Sequence, residues 1–257
     1  MKTLGLIGGM SWESTVPYYR LINEGVKQRL GGLHSARLVL YSVDFAEVER
    51  LQRTGDWVAA GALLAQAAEK LEGAGAEALV LCTNTMHKVA NAIESAVQIP
   101  LLHIADPTAM QIRQAGLSTV GLLGTCFTME QPFYKDRLVQ RHGLQVLVPS
   151  AADREMVHRV IYEELCLGQV HASSRAQYQR VMADLVAQGA QAIILGCTEI
   201  SLLIGAEDAP VPSFDTTAIH AHSAVAGVIA RIAGKISQTP VVYTVHGFGF
   251  KPQALRL

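Results

Sequence analysis

Two short polar segments, each directly after an aliphatic run, carry the side chains best suited to chemistry. The first reads Cys82-Thr83-Asn84-Thr85-Met86-His87 and the second reads Gly196-Cys197-Thr198-Glu199. Hydroxyl and amide groups at the start of a helix cap it, and they also donate hydrogen bonds to a carboxylate. A thiol at a helix N-terminus is expected to have a lowered pKa, which makes its thiolate available. We therefore expect Cys197 to be a reactive base, while helix capping alone is the alternative interpretation of each segment.

An internal repeat decides which residues of the two segments correspond. Residues 75–83 align without gaps on 189–197, residues 4–8 align on 120–124, and residues 17–19 fall near 132–134. This alignment pairs Thr83, and not Cys82, with Cys197. Because side chains alternate along a strand, Cys82 and Thr83 cannot both point into one cleft unless the chain has already turned. We predict that Cys82 is a small thiol packed in the sheet.

Short aliphatic runs flanked by glycine alternate with longer stretches of helical periodicity in both halves. Runs that are hydrophobic throughout, without alternation, are typical of a parallel sheet covered on both faces. The pattern predicts strands near 3–9, 36–43, 77–82, 99–103, 118–124, 144–148, 190–196 and 211–214. It predicts helices near 14–30, 56–72, 84–96, 129–142, 153–166, 173–188 and 216–233.

The fold class is therefore α/β, with two pseudo-symmetric flavodoxin-like domains, parallel sheets and an active site in the cleft between the domains. We expect the last helix to cross back onto the first half. The first domain would then comprise 1–98 and 208–233, and the second 99–207. The tail, residues 234–257, matches nothing in the repeat and has no predicted role.

Composition excludes several classes of function. Half of the residues are hydrophobic, 17% are charged and the formal net charge is −1, so neither a nucleic acid nor an anionic membrane is an expected partner. No apolar stretch is long enough to cross a bilayer. The cysteines lie far apart without metal-ligand spacing, and we expect free thiols in a reducing cytoplasm and no metal site.

The remaining polar residues carry weaker signals. The Gly8-Gly9-Met10-Ser11 turn lets backbone approach a ligand but matches no nucleotide-binding motif. His87 either lines the cleft or is a capping histidine. The run from Asp44 to Arg53 either reaches the substrate or is a solvated helix face.

At these turns the sequence resembles the aspartate/glutamate racemase family. The resemblance runs from Met1 to about Ala233 and rests on the turn at 8–11, on Asn84-Thr85-Met86-His87 and on Gly196-Cys197-Thr198-Glu199. It implies an amino-acid racemase that uses no pyridoxal phosphate or other cofactor, with one cysteine from each domain on opposite sides of the substrate α-carbon. The first of these family cysteines falls at Thr83 here, which is a departure from the pattern.

The resemblance implies a two-base mechanism acting on a small amino acid. Cys197 would face the α-hydrogen of the L-enantiomer and Thr83 that of the D-enantiomer, with the threonine acting as a poor donor or a relay. The expected substrate-binding residues are Met10, Ser11, Gln52, Asn84, Thr85 and Thr198. Whether the chain forms a homodimer is left open.

Substrate preference is also left open. The arginine that many relatives carry after the second strand is replaced by Val43-Asp44-Phe45, and a second basic residue of some relatives falls at or next to Cys166. Homoserine is therefore a candidate beside aspartate and glutamate. The alternatives are a hydantoin racemase, a maleate isomerase or an arylmalonate decarboxylase on the same design, and a binding protein that has lost catalysis.

Overall fold

Two four-stranded parallel sheets form the framework of the protein, whose computed structural model describes residues 1–229. The tail at 234–257 and the end of the predicted last helix lie outside the described residues. None of the helices within 1–229 combines the length and the apolar character that a membrane span requires.

The first half contains one sheet and the helices that cover it. Its strands are β1 (Thr3–Gly8), β2 (Arg37–Ser42), β3 (Ala78–Leu81) and β4 (Leu101–Leu102). Its helices are α1 (Trp12–Leu30), α2 (Phe45–Thr54), α3 (Trp57–Gly73) and α4 (Ala90–Ala96), with a 3₁₀ turn at Thr85–Val89.

The second half repeats this arrangement with shorter helices. Its strands are β5 (Thr119–Gly124), β6 (Gln145–Leu147), β7 (Ala192–Gly196) and β8 (Ser213–Asp215). Its helices are α5 (Ala105–Gln114), α6 (Cys126–Glu130), α7 (Pro132–Asp136), α8 (Ala151–Glu163), α9 (Ala172–Ala187) and α10 (Ile200–Leu203). A π-helical turn covers Arg137–Arg141, 3₁₀ turns cover Leu165–Leu167 and Ala206–Asp208, and α11 (Thr216–Ile229) ends the described chain.

The strand orders β2-β1-β3-β4 and β6-β5-β7-β8 are the same, which confirms the predicted pseudo-symmetry. Strands β3 and β7 each pair in parallel with the first strand of their half. Thr83 and Cys197 therefore follow equivalent strands. Since the carboxyl ends of parallel strands meet at one edge of a sheet, these positions lie where α/β folds bind ligands.

The predicted elements are present, with differences that have local causes. The sequence pattern did not predict α5 and gave α2 only as one of two interpretations of the run from Asp44 to Arg53, since both helices are short and rich in charged or polar residues. It predicted one helix at 129–142, but Pro132 starts a new helix because it cannot donate a backbone hydrogen bond within a helix. The predicted helix at 84–96 begins as a 3₁₀ turn and becomes α-helical at Ala90.

The last helix returns to the first half. Ala221, Ala224 and Val225 of α11 pack with Leu4 and Tyr18 in one buried cluster. By sheet membership β4 lies with the strands of the first half and β8 with those of the second. The division into 1–98 with 208–233 and 99–207 stays a prediction.

The turn after β1 brings Gly9 so close to the backbone of Val43 that no residue with a side chain fits there. Gly9 has φ +93°, and a Cβ there would lie 2.2 Å from the carbonyl oxygen of Val43. Its N–H donates to Thr15 Oγ1 at 2.9 Å. The turn thereby delivers Ser11, the N-cap of α1, to the edge of the sheet.

Candidate active site

A buried carboxylate, Glu199, gathers hydrogen bonds from both halves. Cys197 Sγ donates to Glu199 Oε2 at 3.0 Å and Thr198 Oγ1 donates to the same oxygen at 2.6 Å. From the first half, Ser11 Oγ donates to Glu199 Oε1 at 2.9 Å. Glu199 is 2% exposed, so these donors take the place of the water that a carboxylate would otherwise require. The predicted residues Ser11, Cys197 and Thr198 thus meet at a fourth residue.

The expected lowering of the Cys197 pKa is wrong. Burial, followed by the charge of Glu199, raises the pKa of the thiol well above its ordinary value. The helix after Cys197 is α10, which has four residues and begins three positions later, so it offers little dipole to offset these effects. The resting group is therefore a thiol that donates to Glu199.

Asn84 connects the turn after β3 to the end of β7. Its Nδ2 donates to Thr216 Oγ1 at 3.0 Å, and Thr216 Oγ1 donates to the carbonyl oxygen of Leu195 at 2.9 Å. Because the Thr216 hydroxyl proton is donated to Leu195, Thr216 Oγ1 can only accept from Asn84. The NH₂ group of the Asn84 amide must therefore point toward Thr216. Asn84 Oδ1 is buried and has no hydrogen-bond partner within residues 1–229. Such an acceptor is the kind of group that a bound ligand satisfies.

Thr85 makes a second contact between the halves, and Thr83 lies beside it. Thr85 Oγ1 shares a hydrogen bond of 3.0 Å with Thr125 Oγ1, the N-cap of α6. Thr83 is buried, its N–H donates to the carbonyl oxygen of Leu81 at 2.9 Å, and its own carbonyl contacts the ring of His87. The turn at 83–85 is therefore held by the second half as well as by its own strand.

Gln52 makes a further bridge at the side of the site. Tyr162 OH donates to Gln52 Oε1 at 2.8 Å, and Gln52 Nε2 contacts Met86 Sδ at 3.0 Å. Burial raises the pKa of Tyr162, so its hydroxyl stays protonated and donates to Gln52. Met10, also expected to bind substrate, is packed in the first-half core.

A cavity of about 550 Å³ opens beside this bridge. Helix α2 and helix α8 face each other across it, with Phe127 of α6 completing the wall. Its charged lining residues are Arg53, Arg159, Glu49, Glu155 and Glu163. The carboxylates outnumber the guanidinium groups, and Arg53 already lies 3.4 Å from Glu49. The cavity thus has no excess of positive charge.

The other thiols have different surroundings. Cys82 is fully buried in the core with Leu4 and Tyr18, as predicted, and burial raises its pKa. Cys166 lies in the 3₁₀ turn after α8, where burial and then the neighbouring charge of Glu199 raise its pKa. The position expected to align with a basic residue of some relatives is therefore a neutral thiol near the site carboxylate.

Comparison with known proteins identifies the family. The sequence model of the Asp/Glu/hydantoin racemases matches residues 7–224. The chain belongs to this family. A crystal structure of a Yersinia pestis protein named as a candidate Asp/Glu racemase is 62% identical, with a TM-score of 0.83, and the match covers 89% of this chain and 100% of that one.

Two further relatives of the racemase family extend the comparison. The crystal structure of an aspartate racemase homologue from Pyrococcus horikoshii OT3 is 33% identical with a TM-score of 0.76, covering 90% of this chain and 100% of that one. The broad specificity amino-acid racemase RacX of Bacillus subtilis (strain 168) is 22% identical over 247 residues, which are 88% of this chain and 98% of that protein.

Sequence reasoning assigned no role to four residues that hold the site together. These are Glu199, Thr125, Thr216 and Tyr162. Glu199 directly follows the Cys-Thr pair, and Thr125 and Thr216 each follow a strand of the second half. Their positions at the ends of strands could therefore have indicated that they belong to the site. Tyr162 is a helix residue in an ordinary amphipathic pattern and gave none. Across residues 1–229, no group of His, Cys, Asp and Glu side chains is arranged to hold a metal ion.

Proposed function

We propose that this chain is an amino-acid racemase that moves the α-proton with its own side chains, Cys197 on one face of the substrate and Thr83 on the other. The observation that carries the proposal is the cluster around Glu199, in which a thiol, two hydroxyls and a carboxylate from both halves are buried together. A buried thiol that donates to a carboxylate has an acceptor for its proton at hydrogen-bond distance.

The proposed reaction begins with the Cys197 proton. Glu199 Oε2 accepts this proton, and the thiolate removes the α-proton of the L-amino acid. A thiol with a raised pKa gives a stronger base once ionised, which suits a weakly acidic C–H bond. The positive charge of the incoming ammonium group offsets the burial of the thiolate, so ionisation is coupled to substrate binding.

Thr83 completes the proposed inversion. Its hydroxyl delivers a proton to the opposite face of the α-carbon. Cys197 ends as a thiol that holds the former α-proton, Glu199 releases the proton it accepted to solvent, and Thr83 takes up a proton from solvent, so every group returns to its starting state. A threonine hydroxyl ionises with difficulty, so it acts as a poor donor or as a relay. The two sides of the reaction are therefore unequal in this chain, in contrast to the paired thiols that the family pattern implies.

Asn84, Thr85 and Thr198 are the proposed ligands of the amino and carboxylate groups. Asn84 Oδ1 is a buried acceptor without a protein partner among the described residues, and it suits the ammonium group of the substrate. The Thr198 hydroxyl donates to Glu199, so it can only accept from the substrate ammonium group, and Ser11 orients Glu199. The Thr85 hydroxyl, which shares its hydrogen bond with Thr125, is the proposed donor to the substrate carboxylate, whose developing negative charge a preorganised donor stabilises.

We infer the side-chain preference from the cavity that Gln52, a proposed substrate-binding residue, helps to line. A pocket selective for aspartate or glutamate would need uncompensated positive charge for the distal carboxylate. The lining here contains more carboxylates than guanidinium groups. We therefore propose a broad preference that includes neutral polar amino acids such as homoserine beside aspartate and glutamate.

The proposal includes no cofactor and no metal, and it takes a small amino acid as the partner. A cytoplasmic location and a homodimer also remain proposals, and sedimentation analysis of the purified chain would test the dimer. No partnership with nucleic acid or membrane is proposed.

A panel of L- and D-amino acids, followed by chiral chromatography, tests the function. We expect interconversion of several amino acids without added pyridoxal phosphate, including at least one without a charged side chain. A matched panel of hydantoins and maleate tests the related activities. Binding of amino acids with neither racemisation nor α-proton exchange would contradict the proposal and favour a binding protein.

A further inference from the structure

The ring of His87 joins the two halves of the protein at Thr83. His87 Nδ1 lies 2.8 Å from the carbonyl oxygen of Thr83, in the first half. His87 Nε2 lies 3.2 Å from the backbone nitrogen of Ile104, which is buried in the core of the second half. His87 is 3% exposed, so its ring spans the contact without competition from bulk water.

These two contacts determine where the imidazole proton lies. A backbone N–H can only donate, so Nε2 accepts from Ile104 and carries no hydrogen. The hydrogen of the neutral ring is then on Nδ1, which donates to the Thr83 carbonyl. Burial, followed by the neighbouring His103 and His220, holds the pKa of His87 well below its ordinary value. The ring therefore keeps this single arrangement at neutral pH.

We propose that His87 is the positioning residue that sets Thr83 against the substrate α-carbon. This inference rests on the proposed racemase function. The Thr83 N–H is held by Leu81, and its carbonyl is held by His87, so both ends of this residue are fixed. The N–H of Ile104 donates to the other ring nitrogen, which keeps the hydrogen of the ring on Nδ1, where it bonds to the Thr83 carbonyl. His87 itself does not touch the substrate.

The inference predicts an effect on one face of the substrate only. Misplacement of a reacting group by about 1 Å can cost on the order of 10²-fold in rate. Loss of the His87 contact should therefore slow proton exchange of the D-enantiomer, which uses Thr83. Exchange of the L-enantiomer, which uses Cys197, should be affected far less. A purely structural role for His87 would lower both together.

Two substitutions separate the two ring contacts. His87→Asn places an amide N–H near the position of Nδ1 and can still donate to Thr83. His87→Gln places its amide near the position of Nε2, so it can still contact Ile104 but loses the Thr83 bond. His103→Asn is the matched control, since its ring lies 4.4 Å from that of His87 but bonds to Ala105 and not to Thr83.

The readout is α-deuterium in recovered L- and D-substrate after incubation in heavy water, with thermal melting as the test of folding. We expect His87→Gln to lower D-substrate exchange by roughly 10-fold or more and L-substrate exchange by less than about 3-fold. His87→Asn and His103→Asn should stay within about 3-fold of wild type for both enantiomers.

Equal losses for the two enantiomers in folded His87→Gln, or no loss for either, would overturn the inference. So would a loss in His87→Asn as large as that in His87→Gln. If His87→Gln does not fold, His87→Asn still tests the inference, because a loss of D-substrate exchange in this folded variant, which keeps the Thr83 bond, would overturn it. Absence of exchange in the wild type with either enantiomer would instead contradict the proposed function.

Discussion

Ser11 Oγ and Glu199 Oε1 lie 2.9 Å apart, although 188 positions separate the two residues along the chain. The same carboxylate accepts a hydrogen bond from the Cys197 thiol. The first half therefore orients the proton acceptor of a thiol that belongs to the second half. Glu199 therefore both contacts the first half and accepts the hydrogen bond of the proposed base.

Glu199→Gln tests the role of this carboxylate. We expect exchange of the L-substrate α-proton to fall by at least about 10²-fold, because an amide cannot take the thiol proton. Ser11→Ala is the graded control: it keeps the Cys197 contact and removes one orienting bond, so a smaller loss is expected. Exchange measured by mass spectrometry that stays near the wild-type rate in folded Glu199→Gln would show that Glu199 is not the acceptor.

Thr83→Cys tests the unequal pair of acid/base groups. In the wild type we expect L-substrates to exchange their α-proton much faster than D-substrates, since a thiol is the stronger acid/base group. The variant should raise D-substrate exchange and racemisation in both directions, because the enantiomers have equal free energy and kcat/KM must match in the two directions. A folded variant slower than wild type, or equal exchange of both enantiomers in the wild type, would refute the role of Thr83.

The sequence predicted those features of the site that depend on residues close together in the chain, and not those that depend on packing between the two halves. The repeat aligned Thr83 with Cys197 after equivalent strands and predicted Cys82 in the core, because strand periodicity and alignment are local signals. The pKa of Cys197 was predicted in the wrong direction, since its dominant causes are burial and Glu199, and both depend on the packing of two halves. The hydrogen bond between Gln52 and Tyr162 joins α2 to α8, and the sequence pattern of neither helix indicates it.

Cys82→Ala separates packing from chemistry. Cys82 is fully buried between β3 and the helices that cover it, and its raised pKa keeps it a thiol. We expect the variant to lose about 1 kcal/mol in the free energy of unfolding and to keep its α-proton exchange. Denaturant unfolding and the exchange assay measure the two quantities. A loss of exchange as complete as that expected for Cys197→Ala would show that the register of the turn is wrong.

The buried histidines predict a loss of stability in acid. Burial, followed by the charge of Arg137, lowers the pKa of His103 to about 3, and burial lowers that of His220 to about 4. The unfolded chain takes up these protons below about pH 6.5 while the folded protein does not, so the free energy of unfolding falls from there to about pH 3. One such histidine costs roughly 2 kcal/mol at about pH 5.

His103→Asn tests this pH dependence with a group that does not titrate. Asparagine can still accept the hydrogen bond that Ala105 N–H makes to His103 Nδ1. The free energy of unfolding is measured by denaturant at about pH 7.5 and at about pH 5. Its fall between the two pH values should be smaller in the variant than in wild type by roughly 2 kcal/mol. An unchanged loss would mean that His103 does not stay neutral in the folded protein.

The most direct test of the central claim is α-deuterium incorporation into L-amino acids in heavy water, by protein treated with a chelator and freed of pyridoxal phosphate. Wild type and Cys82→Ala should label the substrate, and folded Cys197→Ala should label it at least about 10²-fold more slowly, because its base is gone. Retention of more than about a tenth of wild-type labelling by Cys197→Ala, or no labelling by the wild type, would contradict the account.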